Sequence, residues 1–316
     1  MIITERVYKR ILEKKKQLDA IRPIDNMQLQ KLKHDFIVEY VYDSTAIEGN
    51  TLTLNETRLI LNEGITIGGK SLREHLDVTN QKEAMGWIES FVKEKRELKE
   101  ADILTLHRIT LKGISEYWAG RYKESQNRIL GSKLKTTPPY KVSSEMENFV
   151  HMLNKNPDKL NPVELAAFAH HELVRIHPFA DGNGRVARLL CNLILMSNRY
   201  PPVIVRKTDR KKYFACLEKA HFGNMKLFAD FLALRVEESL MQYIGAVSKE
   251  AKRDELLPLS ELAKETGVSQ EYLSLLARRG LLSATKINSV WHSTRQDVRK
   301  YKESHERKGS IGIGLK

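Results

Sequence analysis

Apolar residues recur every three or four positions along most of this chain, and alternating strand patterns are scarce. The spacing predicts a charged helix over residues 1–20 and a second over roughly 27–48, where Ile37, Val41, Ser44 and Glu48 share a face. Gly49 follows where a C-terminal cap belongs. Thr53-Leu54-Asn55-Glu56 and Ser71-Leu72-Arg73-Glu74 read as capping boxes. The first opens a short helix ending near Gly64, the second a helix running into the 90s, and 101–113 is helical again. The stretch 120–142 breaks the period, and its Gly, Pro and Thr content with weak alternation predicts a β-hairpin or extended flap. Helical spacing returns from Ser144. Asn161 caps a helix with Pro162 at its first position and Glu164 in its first turn. Leu165, Phe168, Ala169, Leu173 and Ile176 form its buried stripe, and Pro178 stops it. The next helix spans about Arg185 to Ser197, with Val186, Leu189, Leu190 and Leu193 facing inward, and further helices fill 210–243. A charged linker over 248–256 precedes a small unit at 257–304 and a flexible tail at 305–316.

A length of 316 residues allows two or three domains, and 41% apolar with 29% charged residues fits a soluble globular chain. No apolar run approaches the ~18 residues of a membrane-spanning helix, and the N-terminus lacks a signal-peptide pattern. Cys191 and Cys216 stand far apart without a CxxC pair, which argues against a disulfide framework or zinc knuckle. These features predict a cytoplasmic protein with no membrane partner, and a homodimer is compatible with them. The net charge of +13 favours polyanions without choosing among them. The run Lys14-Lys15-Lys16 reads as a solvated face.

The segment His177-Pro178-Phe179-Ala180-Asp181-Gly182-Asn183-Gly184-Arg185, with Arg188 beyond it, concentrates chemistry. One helix ends, another begins, and the new helix points free N–H groups and its positive dipole end into the loop, which makes an anion site. Gly182 and Gly184 let backbone approach a phosphate, and Arg185 and Arg188 lie three apart, so both reach one side. Asp181 is a ligand suited to Mg²⁺ on phosphates, and His177 is a base for a hydroxyl nucleophile. A tight interhelix turn would explain a lone Asp-Gly but not the whole run. Phosphoryl or nucleotidyl transfer needs this set.

HPFADGNGR matches the Fic family motif, HPFx[DE]GNGR, and the resemblance extends over about residues 30–245. It implies an all-α Fic helical core with a small β-hairpin flap. It also implies AMP transfer from ATP, with Mg²⁺, onto a Tyr, Thr or Ser hydroxyl of a target protein. By resemblance His177 is the base and Asp181 the metal ligand, while Gly182, Asn183 and Gly184 hold the phosphates. Arg185 contacts the departing phosphates, and Phe179 anchors the loop. The flap corresponds to Arg128–Lys133, with Leu130, Gly131, Ser132 and Lys133 near the nucleotide, and Tyr213 and Phe214 border the adenine. His221 stands where relatives often carry Asn. Ser44-Thr45-Ala46-Ile47-Glu48-Gly49 resembles the family's inhibitory motif, [ST]xxxE[GN], with Glu48 aimed at Arg188 so that ATP binds non-productively. Removal of AMP, with Glu48 orienting a water, or another nucleotide donor are alternatives within the class. A DNA-binding regulator with a nucleotide-sensing core is the alternative outside it.

Three other signals bear on this. Gly64-Ile65-Thr66-Ile67-Gly68-Gly69-Lys70-Ser71 satisfies the P-loop pattern, but a capped helix precedes it where a strand is required. His170 and His171 are adjacent, so a metal cluster with His177 is not expected, and one should pack while the other is exposed. The unit at 257–304 looks like an excisionase or MerR-type winged helix-turn-helix, with Lys286 to Thr294 as the wing. Arg278, Arg279 and Lys286 could meet DNA phosphates, and residues 251–316 hold 13 Lys and Arg against 8 Asp and Glu. The domain organisation expected is therefore 1–95 as an N-terminal helical region with the inhibitory helix, 96–247 as the Fic core, 257–304 as the winged helix and 305–316 as the tail.

Overall fold

A computed structural model describes residues 2–21, 26–129, 131–247 and 255–309. Along the chain come α1 (Glu5–Ile21), α2 (Asn26–Ile47), α3 (Leu54–Glu63), α4 (Leu72–Glu94), α5 (Glu100–Leu111), α6 (Pro139–Lys155), α7 (Pro162–Ile176), α8 (Asn183–Ser197), α9 (Arg210–His221) and α10 (Met225–Val247). There follow β1 (Leu257–Pro258), α11 (Leu259–Thr266), α12 (Gln270–Arg278), β2 (Thr285–Ile287), β3 (Val290–Ser293) and α13 (Arg295–Gly309). The all-α expectation holds. Among the described residues no helix is long and apolar enough to cross a membrane.

The chain divides into two compact units, Met1–Thr4 with Lys33–Arg235, and Glu5–Leu32 with Val236–Lys316. The first is organised around α8, which is buried on every side: Val186, Ala187, Leu189, Leu190 and Leu193 are at most 2% exposed. A helix apolar all round needs neighbours all round, and α7, α4 and α5 pack against it. The capping boxes at Thr53, Ser71 and Asn161 fix the starts of α3, α4 and α7. Because α3 ends at a left-handed Gly64 and α4 starts beyond Ser71, the P-loop-like run is a helix-to-helix connection. The expected break over 120–142 ends earlier, because Pro138 caps α6 and Pro139 takes its first position, where a missing N–H costs nothing.

The flap is an extended loop rather than a paired hairpin among the described residues. Side chains bridge its limbs instead: Gln126 Nε2 donates to the Thr136 carbonyl (3.1 Å), and Thr136 Oγ1 donates to the Asn127 carbonyl (2.9 Å).

The second unit departs from the expected domain boundaries, since α1 belongs to it. The physical reason is ionic. Arg10 forks onto Glu237, and Lys14 lies 3.1 Å from Asp297 and 3.6 Å from Glu237. Lys14 is buried, so the lysine run is not the uniformly solvated face its composition suggests. In the same unit α11 and α12 form a helix-turn-helix through Gly267 (φ 69°), with Ser269 capping α12. A three-stranded antiparallel sheet of order β1-β3-β2 follows, with β2 and β3 paired antiparallel in the stretch read as a wing. Asn288 and Ser289 both adopt positive φ, as a two-residue hairpin turn requires. Leu257, Leu259, Leu262, Leu273, Leu276, Leu282 and Val298 form the core of this unit. α13 continues to Gly309, past the expected end at 304; residues 248–254 of the linker and 310–316 of the tail lie outside the described residues.

Candidate active site

The loop from His177 to Gly182 is held shut by its own polar groups. α7 ends with His177 in the left-handed region (φ 52°), its N–H on the Leu173 carbonyl. Asn183 closes a ring with Phe179: Phe179 N donates to Asn183 Oδ1 (3.0 Å) and Asn183 Nδ2 donates to the Phe179 carbonyl (2.8 Å). Gly182 turns the chain at φ 82° into α8. Phe179 is fully buried and stacks on His107, with ring centroids 3.7 Å apart.

His107 carried no signal in the sequence, yet it supports the whole loop. Its Nδ1 accepts from Gly120 N, so the proton sits on Nε2, which donates to the Asp181 carbonyl (3.0 Å). Lys123 and Asn127 were equally silent. Lys123 N donates to the Pro178 carbonyl and Asn127 Nδ2 to the Phe179 carbonyl, tying the flap to the loop. Burial lowers the Lys123 ammonium to about 8.

Burial also pushes His177 down to about 4; the Val174 carbonyl opposes this and Lys123 adds to it. The imidazole is therefore neutral near pH 7. Its Nδ1 faces the Val174 carbonyl at 3.2 Å and must donate there, which leaves Nε2 as an unprotonated acceptor. Neutral, oriented and stripped of its proton on the outer nitrogen, the ring is ready to take one.

Across the loop, burial would raise the Asp181 carboxyl, but Arg185, the Gly182 amide and Arg73 outweigh it and hold the group below the usual range. Arg73 pairs with Asp181 Oδ2, and Arg185 with Asp77. These residues, with Glu48, Glu74 and Thr51, line a cavity of ≈ 450 Å³. Mg²⁺ is commonly held by one carboxylate and substrate phosphates, and an ionised, half-exposed Asp181 at such a cavity fits that need.

Arg188 is buried, and three bonds hold it: Nε to Ser44 Oγ (3.0 Å), Nη2 to the Ser44 carbonyl (2.8 Å) and Nη2 to Glu48 Oε1 (2.8 Å). Burial opposes its charge, but Glu48 outweighs that and keeps the guanidinium protonated. Its Nη1 is buried with no acceptor among the described residues. That orphan donor would lie 3.3 Å from a Cβ placed on Gly184, and the same Cβ would collide with Glu48 Oε1. The Glu48 carboxylate thus stands at the N-terminus of α8, where an anion is favoured. Gly49 follows it at φ 104°.

The flap and base-side residues are placed less simply. Leu130 lies outside the described residues. Gly131 turns the flap at φ 79°, while Ser132 Oγ and Lys133 N both donate to Glu218. Tyr213 is 1% exposed and its hydroxyl bonds His170 Nε2, so it packs in the core, and Phe214 at 38% is the accessible ring. His221 Nδ1 lies 3.0 Å from His171 Nε2. The expectation of one exposed histidine fails: His170 and His171 are both buried, because α9 supplies a polar partner to each. No group of three metal-ligating side chains occurs among the described residues.

A sequence model of the Fic/DOC family matches residues 97–195. The chain is 40% identical over 222 residues to "Protein adenylyltransferase fic-1" of Caenorhabditis elegans, covering 69% of this chain and 43% of that protein. It is 38% identical over 237 residues to "Protein adenylyltransferase Fic" of Drosophila virilis, covering 75% and 48%. Among solved structures it resembles Fic-1 (residues 134–508) of C. elegans, with a TM-score of 0.69 and 36% identity over 76% of this chain and 72% of that one. A Fic domain containing signalling protein of Bacteroides thetaiotaomicron also matches, with a TM-score of 0.69 and 30% identity over 75% and 96%. The chain spans about half the length of the curated relatives it matches.

Proposed function

The chain belongs to the Fic/DOC family, and we propose that it transfers AMP from ATP to a Tyr, Thr or Ser hydroxyl of another protein, held down by Glu48. The observation that carries this is the buried Arg188, shared between Glu48 and Ser44 with one donor left over beside the α8 N-terminus. A guanidinium so placed suits the last phosphate of a triphosphate, and a carboxylate on it excludes that phosphate.

His177 Nε2 takes the proton of the incoming hydroxyl as its oxygen attacks the α-phosphorus. The bond to the β-phosphate breaks, its electron pair leaves on pyrophosphate, and His177 keeps the proton until release. The Asn183–Arg185 amides and Arg185 stabilise charge on the phosphates. Bound at Asp181 and the phosphates, Mg²⁺ would supply further charge neutralisation. The base-side reading rests on Phe214 and His221, with Tyr213 supporting them from beneath. Incubation with α-labelled ATP and a lysate, followed by mass spectrometry of labelled proteins, tests the reading; labelling with GTP, CTP or UTP in its place would change the donor. We keep a cytoplasmic setting as part of this reading.

Two further readings have a specific observation behind them. The Glu48 carboxylate is 38% exposed and lines the same cavity as Asp181, which suits it to orient a water for AMP removal. In the second unit, exposed Arg278 and Arg279 end α12 and Lys286 lies on the wing, an arrangement suited to DNA phosphates.

A further inference from the structure

Four charged side chains alternate in sign along one wall of the cavity. Arg73 Nη2 donates to Asp181 Oδ2, Arg185 Nη2 lies 3.5 Å from Asp181 Oδ1, and Arg185 Nη1 donates to Asp77 Oδ1. Arg73 and Asp77 stand four residues apart at the start of α4, so one helical face delivers a counter-ion to each of the two loop residues.

The two arginines are held differently. The Arg185 side chain is 4% exposed and fixed between two carboxylates. Arg73 is 58% exposed, its partner Asp181 is 50% exposed, and Arg73 has no other hydrogen bond among the described residues. A pair that open to water is weak and exchanges readily. Most of the Arg73 donors are therefore uncommitted, on a side chain long enough to move within the cavity.

A divalent ion and this guanidinium cannot share Asp181 Oδ2, since two cations at contact repel strongly. Displaced by the ion, Arg73 keeps Asp77, one turn along α4, as a neighbouring charge and has the phosphate oxygens that the ion brings within the same cavity. An arginine fork matches phosphate geometry with two parallel N–H donors. We propose that Arg73 is parked on Asp181 and passes to the pyrophosphate end of the nucleotide when a divalent ion takes that carboxylate. This rests on the nucleotidyl-transfer reading above. When the bond between the α-phosphorus and the bridging oxygen breaks, the electron pair goes to the β-phosphate oxygen. Arg73 and Arg185 then receive the added charge from two sides, without any proton transfer.

The test is calorimetric titration of the full chain carrying Glu48→Gly, which clears the last-phosphate position, with pyrophosphate and, separately, with AMP, alone and with Arg73→Ala or Arg73→Lys added, with Mg²⁺ and with EDTA. With Mg²⁺, Arg73→Ala should weaken pyrophosphate by about tenfold or more and leave AMP within about twofold. Arg73→Lys should recover only part, because an ammonium lacks the fork. In EDTA the difference made by Arg73→Ala should shrink to within about twofold, since Arg73 then stays on Asp181. Equal weakening of AMP and pyrophosphate would mean a packing role and overturn the proposal. So would an unchanged pyrophosphate affinity, or the same loss in EDTA. A Glu48→Gly chain that binds neither ligand removes the nucleotidyl-transfer reading and this inference with it; binding of both with Arg73 indifferent removes this inference alone.

Discussion

Glu48 Oε1 lies 2.8 Å from Arg188 Nη2, at a point where a Cβ on Gly184 would collide with it. The two partners are 140 positions apart in the chain, yet the contact puts a carboxylate against the first turn of α8. Free N–H groups and the helix dipole favour an anion there. An intramolecular anion at that point competes with a phosphate for the same donors.

Ser44 shares in holding Arg188, so it should matter in two ways. Ser44→Ala removes a buried, charge-assisted bond to Arg188 Nε and should cost about 2 kcal/mol of stability, read from urea unfolding. It should also raise auto-labelling, but less than any change at Glu48, because Glu48 and the Ser44 carbonyl still hold Nη2.

On the proposed mechanism, the pH profile of AMP transfer follows from His177. Burial sets its pKa to about 4, so the base form is fully present near neutrality. In a Glu48→Gly background, which removes a charge that raises this pKa, kcat/KM should stay flat down to about pH 5 and fall only at or below about pH 4. Lys123→Met removes a positive charge that lowers the His177 pKa, so it should move this acid limb to higher pH.

His107 should contribute to the loss of stability in acid, beside His170, His177 and His221, which burial lowers in the same way. Burial lowers its pKa to about 4, below the ~6.5 of an unfolded chain. Above about pH 6.5 both states are neutral; below it the unfolded chain binds a proton that the folded chain refuses. Stability should therefore fall as pH drops from about 6.5 to 4, by up to the order of 3 kcal/mol from this group. His107→Phe should remove its share of that slope and leave the share of the other three histidines. At about pH 8 the same variant should cost about 2 kcal/mol, because the Asp181 carbonyl and Gly120 N–H lose their partner. Chemical unfolding at several pH values reads both effects.

Local signals in the sequence found what local physics decides. The capping boxes at Thr53 and Ser71 and the cap at Asn161 stand as read, and α7 begins at Pro162 as expected. The loop motif brought His177, Asp181, Arg185 and Arg188 to one place, which the helix break and the three-residue spacing already implied. What escaped depends on long-range packing. His107, Lys123, Arg73 and Asp77 have ordinary neighbours in the sequence and acquire meaning only when α4, α5 and the flap meet the loop. The same holds for Lys14, whose charge is answered by Glu237 and Asp297 more than 200 positions away. The flap read as a β-hairpin or an extended segment, and it is extended: Gln126, Asn127 and Thr136 meet through side chains, with no backbone ladder among the described residues.

The helix-turn-helix unit makes a separate prediction. If it binds DNA, affinity should fall steeply with salt. Arg278→Ala with Arg279→Ala should flatten the log–log salt slope by ~0.9 for each phosphate no longer neutralised. A filter-binding titration at several salt concentrations reads the slope, and no retention at low salt would leave the unit a protein-contact module.

Inhibition by Glu48 is tested most directly by auto-labelling with α-labelled ATP and Mg²⁺, run on wild type, Glu48→Gly, Glu48→Gln and Glu48→Gly with His177→Ala. Freed from Glu48, Arg188 can take the last phosphate and align the α-phosphorus, and restored alignment can return on the order of 10²-fold in rate. Both Glu48 variants should label strongly, and the signal should vanish when His177→Ala is added. Equal labelling by wild type and the Glu48 variants, or a signal that survives His177→Ala, would contradict the mechanism.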